Sequence, residues 1–159
     1  MKKSPITPGI IVPDQIIEPD SDWEIPTYPI RIFTALNGTG FLASGSDDEE
    51  VRIWSDNSMV FKLWTITGFL PVVEIKCFPF ELYLTATNEG KIIAAPYTDS
   101  PYQRWALEYA GGNKVRIGVN RYDGQFLHAL SGSDGGRLAL VDRAVGMNQV
   151  FQLGANNSE

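Results

Sequence analysis

The sequence predicts an all-β chain of twelve strands, arranged as three similar units about a pseudo-threefold axis. Three observations carry that expectation. From Tyr28 onward no stretch has the spacing of an amphipathic helix, and short runs of β-branched and aromatic residues alternate with Gly, Asn and Asp turns. Aromatic-Leu pairs recur at Phe41-Leu42, Tyr83-Leu84 and Phe126-Leu127, spaced by 42 and 43 residues. Aromatic-x-Leu triplets recur at Phe61-Lys62-Leu63, Trp105-Ala106-Leu107 and Phe151-Gln152-Leu153, spaced by 44 and 46. Two independent landmarks with one period mark an internal repeat.

Each unit offers four strands. The first begins IRIFTAL, turns at Asn37-Gly38, continues FLASGSDDEEVRIW and closes on MVFKLWTITG. The second runs VVEIKCF, LYLTATNEGKIIAAPY and YQRWALEYAGG. The third begins KVRIGVN, turns at Asp123-Gly124, continues QFLHALSGSDGGRLALVD and closes NQVFQLG. The repeats are expected over about 29–70, 71–112 and 113–154, within one domain spanning 29–159. The SGSD tetrapeptide, present at Ser44 to Asp47 and Ser131 to Asp134, reads as the turn after each second strand, with Thr87-Asn88 in the middle copy. Asn37-Gly38-Thr39 reads as a hairpin turn before it reads as a glycosylation sequon.

Residues 1–28 differ from the rest. Pro5, Pro8, Pro13, Pro19 and Pro26 interrupt every candidate element, and five acidic residues outweigh Lys2 and Lys3. This is expected to be an extended arm. Its Ile10, Ile11, Val12, Ile16, Ile17 and Trp23 suit packing along the domain or a neighbouring subunit, and the arm also offers a contact to a protein partner.

Net charge is -6 and no Lys/Arg cluster could neutralise several phosphates together, so nucleic acid is not expected as a partner. No run approaches the roughly 18 apolar residues of a membrane span, and no membrane insertion is expected. MKKSPITPG lacks the apolar stretch of a secretory leader, which predicts a cytoplasmic protein, or one released by a non-classical route. The single cysteine, Cys77, lies in the alternation Val73, Ile75, Cys77 and reads as a small core hydrophobe.

The Gln-x-aromatic closings Gln103-Arg104-Trp105 and Gln149-Val150-Phe151, with Met59-Val60-Phe61 standing in for them in the first unit, resemble the ricin-type β-trefoil lectin domain over about Tyr28 to Gly154. The resemblance implies a β-trefoil in which the closing aromatics meet near the axis, each burying on the order of 150 to 250 Å². It also implies shallow sugar sites. In that family a site combines an Asp after the second-strand Leu, an aromatic late in the third strand, and an Asn before the closing Gln, so that polar groups grip hydroxyls while an aromatic face covers the C-H side of the sugar.

Carried over residue by residue, the set is incomplete in every unit. The first has Ala43 in the Asp place but Trp54 in the aromatic one, beside Asp56 and Asn57. The second has Thr85 in the Asp place, Tyr97 near the aromatic one, then Asp99, and Tyr102 in the Asn place. The third keeps Asn148 but has His128 and Val141 in the other two. The candidate carbohydrate-binding residues are therefore Trp54, Asp56, Asn57, Thr85, Tyr97, Asp99, Tyr102, His128 and Asn148.

No catalytic set is expected: Ser131, Ser133 and Asp134 lie near His128, but their turn setting already explains them. Neither a cofactor nor a metal is expected, because His128 is the sole histidine and the acidic run Asp47 to Glu50 lacks the alternating ligands of a calcium loop and reads as a solvated hairpin tip. Three functions stay open. The first is a non-enzymatic, lectin-like protein that binds glycans or glycoconjugates, with a homodimer as a way to multiply weak sites. The second is a β-trefoil protease inhibitor presenting Asp99 to Arg104. The third is a protein-binding or targeting trefoil, such as one associated with a toxin, using the N-terminal arm.

Overall fold

Alternating buried and half-buried side chains set the strands. Val73, Ile75 and Cys77 point inward along one strand while Glu74 and Lys76 point outward, the period-two pattern of a sheet with one face on a core. The computed structural model describes residues 25–45, 49–56, 58–119 and 124–154. The arm expected at 1–28 therefore lies outside the described residues except at its end, where Ile25 packs against the core.

Twelve strands follow in order: β1 (Ile32–Thr34), β2 (Phe41–Ala43), β3 (Arg52–Trp54), β4 (Leu63–Phe69), β5 (Val72–Phe78), β6 (Leu82–Ala86), β7 (Ile92–Pro96), β8 (Trp105–Tyr109), β9 (Lys114–Val119), β10 (Gln125–Ala129), β11 (Leu138–Asp142) and β12 (Phe151–Leu153). The first and fourth strands of each unit form a ring. Antiparallel pairing runs from β1 to β12, β9, β8, β5 and β4. The ring closes where Ile30 and Trp64 exchange backbone hydrogen bonds of 2.9 and 2.8 Å. The remaining strands make three hairpins, β2-β3, β6-β7 and β10-β11.

Threefold equivalence follows from the register. Trp64 faces Cys77 and Ile30, Trp105 faces Val119 and Val73, and Phe151 faces Thr34 and Val115. In each case the aromatic pairs with the last inward position of one first strand and the first inward position of another. The indole nitrogens of Trp64 and Trp105 donate to the carbonyls of Leu42 and Leu84 at 3.0 and 2.9 Å, the Leu of each aromatic-Leu pair. All three rings are fully buried. This corrects the first-unit landmark: Trp64, not Phe61, is the closing aromatic. Phe61 instead bridges Ser44 and packs edge-on against Phe80.

The turns are made by side chains that satisfy backbone donors. Asn37 Oδ1 accepts the N–H of Thr39 and Gly40 at 3.0 and 3.1 Å, with Gly38 at φ 75°, as the sequence suggests. SGSD splits in two. Ser44 is buried in a bridge, whereas Ser131 to Asp134 is a true turn whose Asp134 reaches the first unit and accepts from Ser55 N–H and Oγ at 2.8 and 2.9 Å. At Gly136, where that tip meets Ile53, a Cβ would lie 2.4 Å from the Ser131 carbonyl oxygen, so only glycine fits. Cys77 is fully buried, and burial pushes its thiol up to about 12.

Candidate functional site

The register fixes which residues occupy equivalent places. Leu42 pairs with Ile53, Leu84 with Ala94 and Leu127 with Leu140. One residue further along each third strand, Trp54 is therefore equivalent to Ala95 and Val141. Tyr97 lies two residues beyond that place.

In the second and third units the carried-over positions are committed to the scaffold. Gln103 accepts the Thr98 N–H at 2.8 Å and donates to Pro96 O at 2.8 Å and Thr85 Oγ1 at 3.1 Å. Gln149 does the same work, accepting from Ala144 N–H at 2.8 Å, donating to Asp142 O at 2.8 Å and meeting His128 Nδ1 at 3.5 Å. Both glutamines are buried, and each pins the loop between third and fourth strands. Gln103→Leu is expected to orphan the Thr98 amide and the Pro96 carbonyl and to cost on the order of 1–3 kcal/mol, read as a lower midpoint in chemical denaturation.

Burial lowers the pKa of His128, whose ring lies beside Gln149. Asn148 donates to Ala129 O at 2.8 Å from the one-turn 3-10 segment Met147–Gln149. Tyr102 lies in the matching turn Pro101–Gln103, its N–H on Ser100 Oγ at 2.9 Å. Tyr97 packs on Tyr83 at 5.1 Å between centroids, and its hydroxyl donates to Asp99 Oδ1 at 3.0 Å, a bond that holds the phenol above its usual range. Asp99, at φ 55°, also takes Arg104, so the arginine of the candidate inhibitor loop is bound within its own loop.

The first unit is different. Trp54 is half-buried and lines a hollow of about 230 Å³ with Ser44, Gly45, Glu49, Glu50, Arg52 and Met59. Arg52 and Trp54 share the outward face of β3, and Met59 comes from the loop that returns to β4. Asp56 anchors that loop: its Oδ1 accepts the Ser58 N–H at 2.9 Å, which lowers the carboxyl pKa. Asn57 lies outside the described residues.

Glu50 is the hub. Its Oε1 receives Arg52 at 3.0 Å and its Oε2 receives Arg137, from the third-unit hairpin, at 2.8 and 3.2 Å. Burial pushes the Glu50 carboxyl up, but the two guanidiniums outweigh it and hold the pKa below the ordinary value. This corrects the reading of the acidic run as a solvated tip, at least at Glu50, whose side chain is only 13% exposed; residues 46–48 lie outside the described set. A depressed carboxylate pKa contributes stability above its unfolded value that disappears as pH falls through the folded one. Glu50→Gln is thus expected to lower Tm at pH 7, with the difference from the parent shrinking as pH falls through the folded-state pKa of Glu50, as followed by circular dichroism.

Sequence reasoning found Trp54 but missed Glu50, Arg52 and Met59. The Val51-Arg52-Ile53-Trp54 pattern already placed Arg52 two residues before the aromatic on the same face, a signal that could have found it. Among the described residues no three His, Cys, Asp or Glu side chains gather as a cation site, and no helix is long and apolar enough to cross a membrane.

Comparison with solved structures bears on the ring and its hairpins. The designed threefold-symmetric protein ThreeFoil aligns with a TM-score of 0.70 at 19% identity, covering 79% of this chain and 97% of its own. The chain has the β-trefoil fold. A lectin of Polyporus squamosus, solved with the epitope Neu5Aca2-6Galb1-4GlcNAc, aligns at TM-score 0.67 and 18% identity over 83% of this chain and 50% of its own. A mosquitocidal holotoxin aligns at 0.73 and 14% over 84% of this chain. The trefoil thus spans half of that lectin and 18% of the toxin. No family model matches the chain, and its sequence matches no curated protein.

Proposed function

We propose that this β-trefoil is a non-enzymatic, lectin-like carbohydrate-binding protein whose working site is the first-unit hollow. The observation that carries the reading is a half-buried Trp54 placed beside the Glu50-Arg52 pair in a concave, mixed polar and apolar wall. A sugar ring would lay its C-H face on the indole while Arg52 and Glu50 meet its hydroxyls. Because Arg137 fixes Glu50 and Asp134 fixes Ser55 next to Trp54, the site is organised before ligand arrives, which lowers the ordering cost of binding.

Two neighbours support the class. One is the Polyporus squamosus lectin with its bound saccharide, and another is an exo-β-1,3-galactanase from Clostridium thermocellum, of which the chain spans 31%. Fold likeness alone does not set a ligand, so the weight rests on Trp54 and its surroundings. In the second and third units Thr85, His128 and Asn148 serve the scaffold, and the Tyr97-Asp99 pair and Tyr102 are secondary to the first-unit hollow.

One shallow site implies a Kd on the order of 0.1 to 1 mM. Binding is therefore tested with densely displayed glycans, where avidity amplifies weak contacts. A saccharide-selective signal from labelled, folded protein supports the reading; silence across such surfaces contradicts it.

A further inference from the structure

Two of the three hairpins lean on the next unit, the first and third tips each pairing with that unit's third strand. Val51, leaving the first tip, donates its N–H to Ile92 O of β7 at 2.7 Å, and Glu50 bridges Ile93. The third tip meets β3: Ile53 donates to Gly136 O at 2.8 Å and accepts from Gly135 N–H at 2.7 Å. The second tip breaks the pattern. Its bonds turn inward, Thr87 N–H to Lys91 O at 2.8 Å and Gly90 N–H to Thr87 O at 3.0 Å, and among the described residues no backbone bond crosses from it to β11. A hollow of about 410 Å³ lies there instead, lined by Asn88, Glu89, Gly90, Gln125, Ala139 and Leu140.

Which groups face this gap follows from the hairpin register. Leu130 donates to Arg137 O at 2.9 Å, which makes that pair hydrogen-bonded. Antiparallel ladders alternate, so His128/Ala139 is bonded and Leu127/Leu140 and Ala129/Leu138 are not. The N–H and C=O groups of Leu138 and Leu140 thus point away from β10, toward the second tip. Side-chain burial agrees: Ile53 and Ala94 are fully buried, whereas Leu140, in the equivalent place, is only half-buried.

We infer that the β11 edge binds an extended peptide segment of a partner protein by strand addition. The molecule itself supplies the template, since extended backbone fills this place at the other two junctions. Backbone bonds to Leu138 and Leu140 would hold the segment, and an apolar side chain would cover Leu140. The exposed rim carries Glu89 and Asp142, with Lys91 4.0 Å from Glu89, leaving one net negative charge that favours a Lys or Arg in the segment. This surface is separate from the Trp54 hollow and does not depend on glycan binding.

The test uses the full-length chain, labelled for amide NMR, and two capped peptides of equal length, one alternating valine with lysine and the other valine with glutamate. The valine-lysine peptide is expected to shift the Leu138 and Leu140 amides and to slow their hydrogen exchange roughly tenfold. The valine-glutamate peptide is expected to bind up to about fivefold more weakly at low salt. Trp54→Ala should leave these shifts unchanged. Three results overturn the inference: neither peptide moves those amides; a saccharide moves them and the peptides do not; or they are already protected in the free chain and become exposed when residues 1–24 are deleted, which would assign the edge to the chain's own arm.

Discussion

Trp64→Ala is expected to unfold the chain, or to leave it barely folded, at ordinary temperature. The indole is fully buried at the point where the ring closes, and its backbone exchanges two hydrogen bonds with Ile30. Removing so large a buried side chain costs about 3–5 kcal/mol. The Leu42 carbonyl, which accepts the indole N–H at 3.0 Å, would lose its partner inside the core, adding about 1–3 kcal/mol. Set against a total stability of roughly 5–15 kcal/mol, the sum leaves little margin. Trp105→Ala should behave alike, since its indole N–H reaches Leu84 O at 2.9 Å in the equivalent place. Phe61→Ala should cost less, because Phe61 retains slight exposure and lies outside the ring of closing aromatics. Thermal and denaturant unfolding of the three variants would rank them. A milder effect for Trp64→Ala than for Phe61→Ala would contradict the threefold assignment.

Trp54→Ala is expected to leave the fold intact and to abolish glycan binding. Trp54 is half-buried on the outward face of β3, and its ring edge lies beside Gly135 of the third-unit tip, where an added Cβ would meet Cη2 at 3.8 Å. Losing an aromatic platform typically removes on the order of 1–3 kcal/mol of binding free energy, which takes a millimolar site beyond detection. Tyr97→Ala is the matched control. Its ring leans on Tyr83 and its hydroxyl on Asp99, so the variant should bind glycan as the parent does.

The ring was legible in the sequence because core alternation and closing aromatics repeat with a common period. Its one error has a physical cause. Phe61-Lys62-Leu63 matches Trp105-Ala106-Leu107 in pattern, but Trp64 also lies 41 residues before Trp105, and only pairing with Ile30 and Cys77 decides between the two frames. Trp54 was legible as a platform, being a large aromatic late in a third strand. Glu50 was not: its partner Arg137 is 87 residues away, and an acidic run reads as solvated until a guanidinium from another unit is seen beside it. The open junction at β11 was equally hidden, because Leu140 continues the same alternation as its buried counterparts Ile53 and Ala94. What differs there is the neighbouring tip, a matter of tertiary register that a single strand does not record.

The most direct measurement of the central claim is a glycan array probed in parallel with the parent protein and Trp54→Ala, both shown to be folded. Selective saccharide signals are expected from the parent and should vanish in the variant. No signal from the folded parent, or equal signals from both, would contradict it.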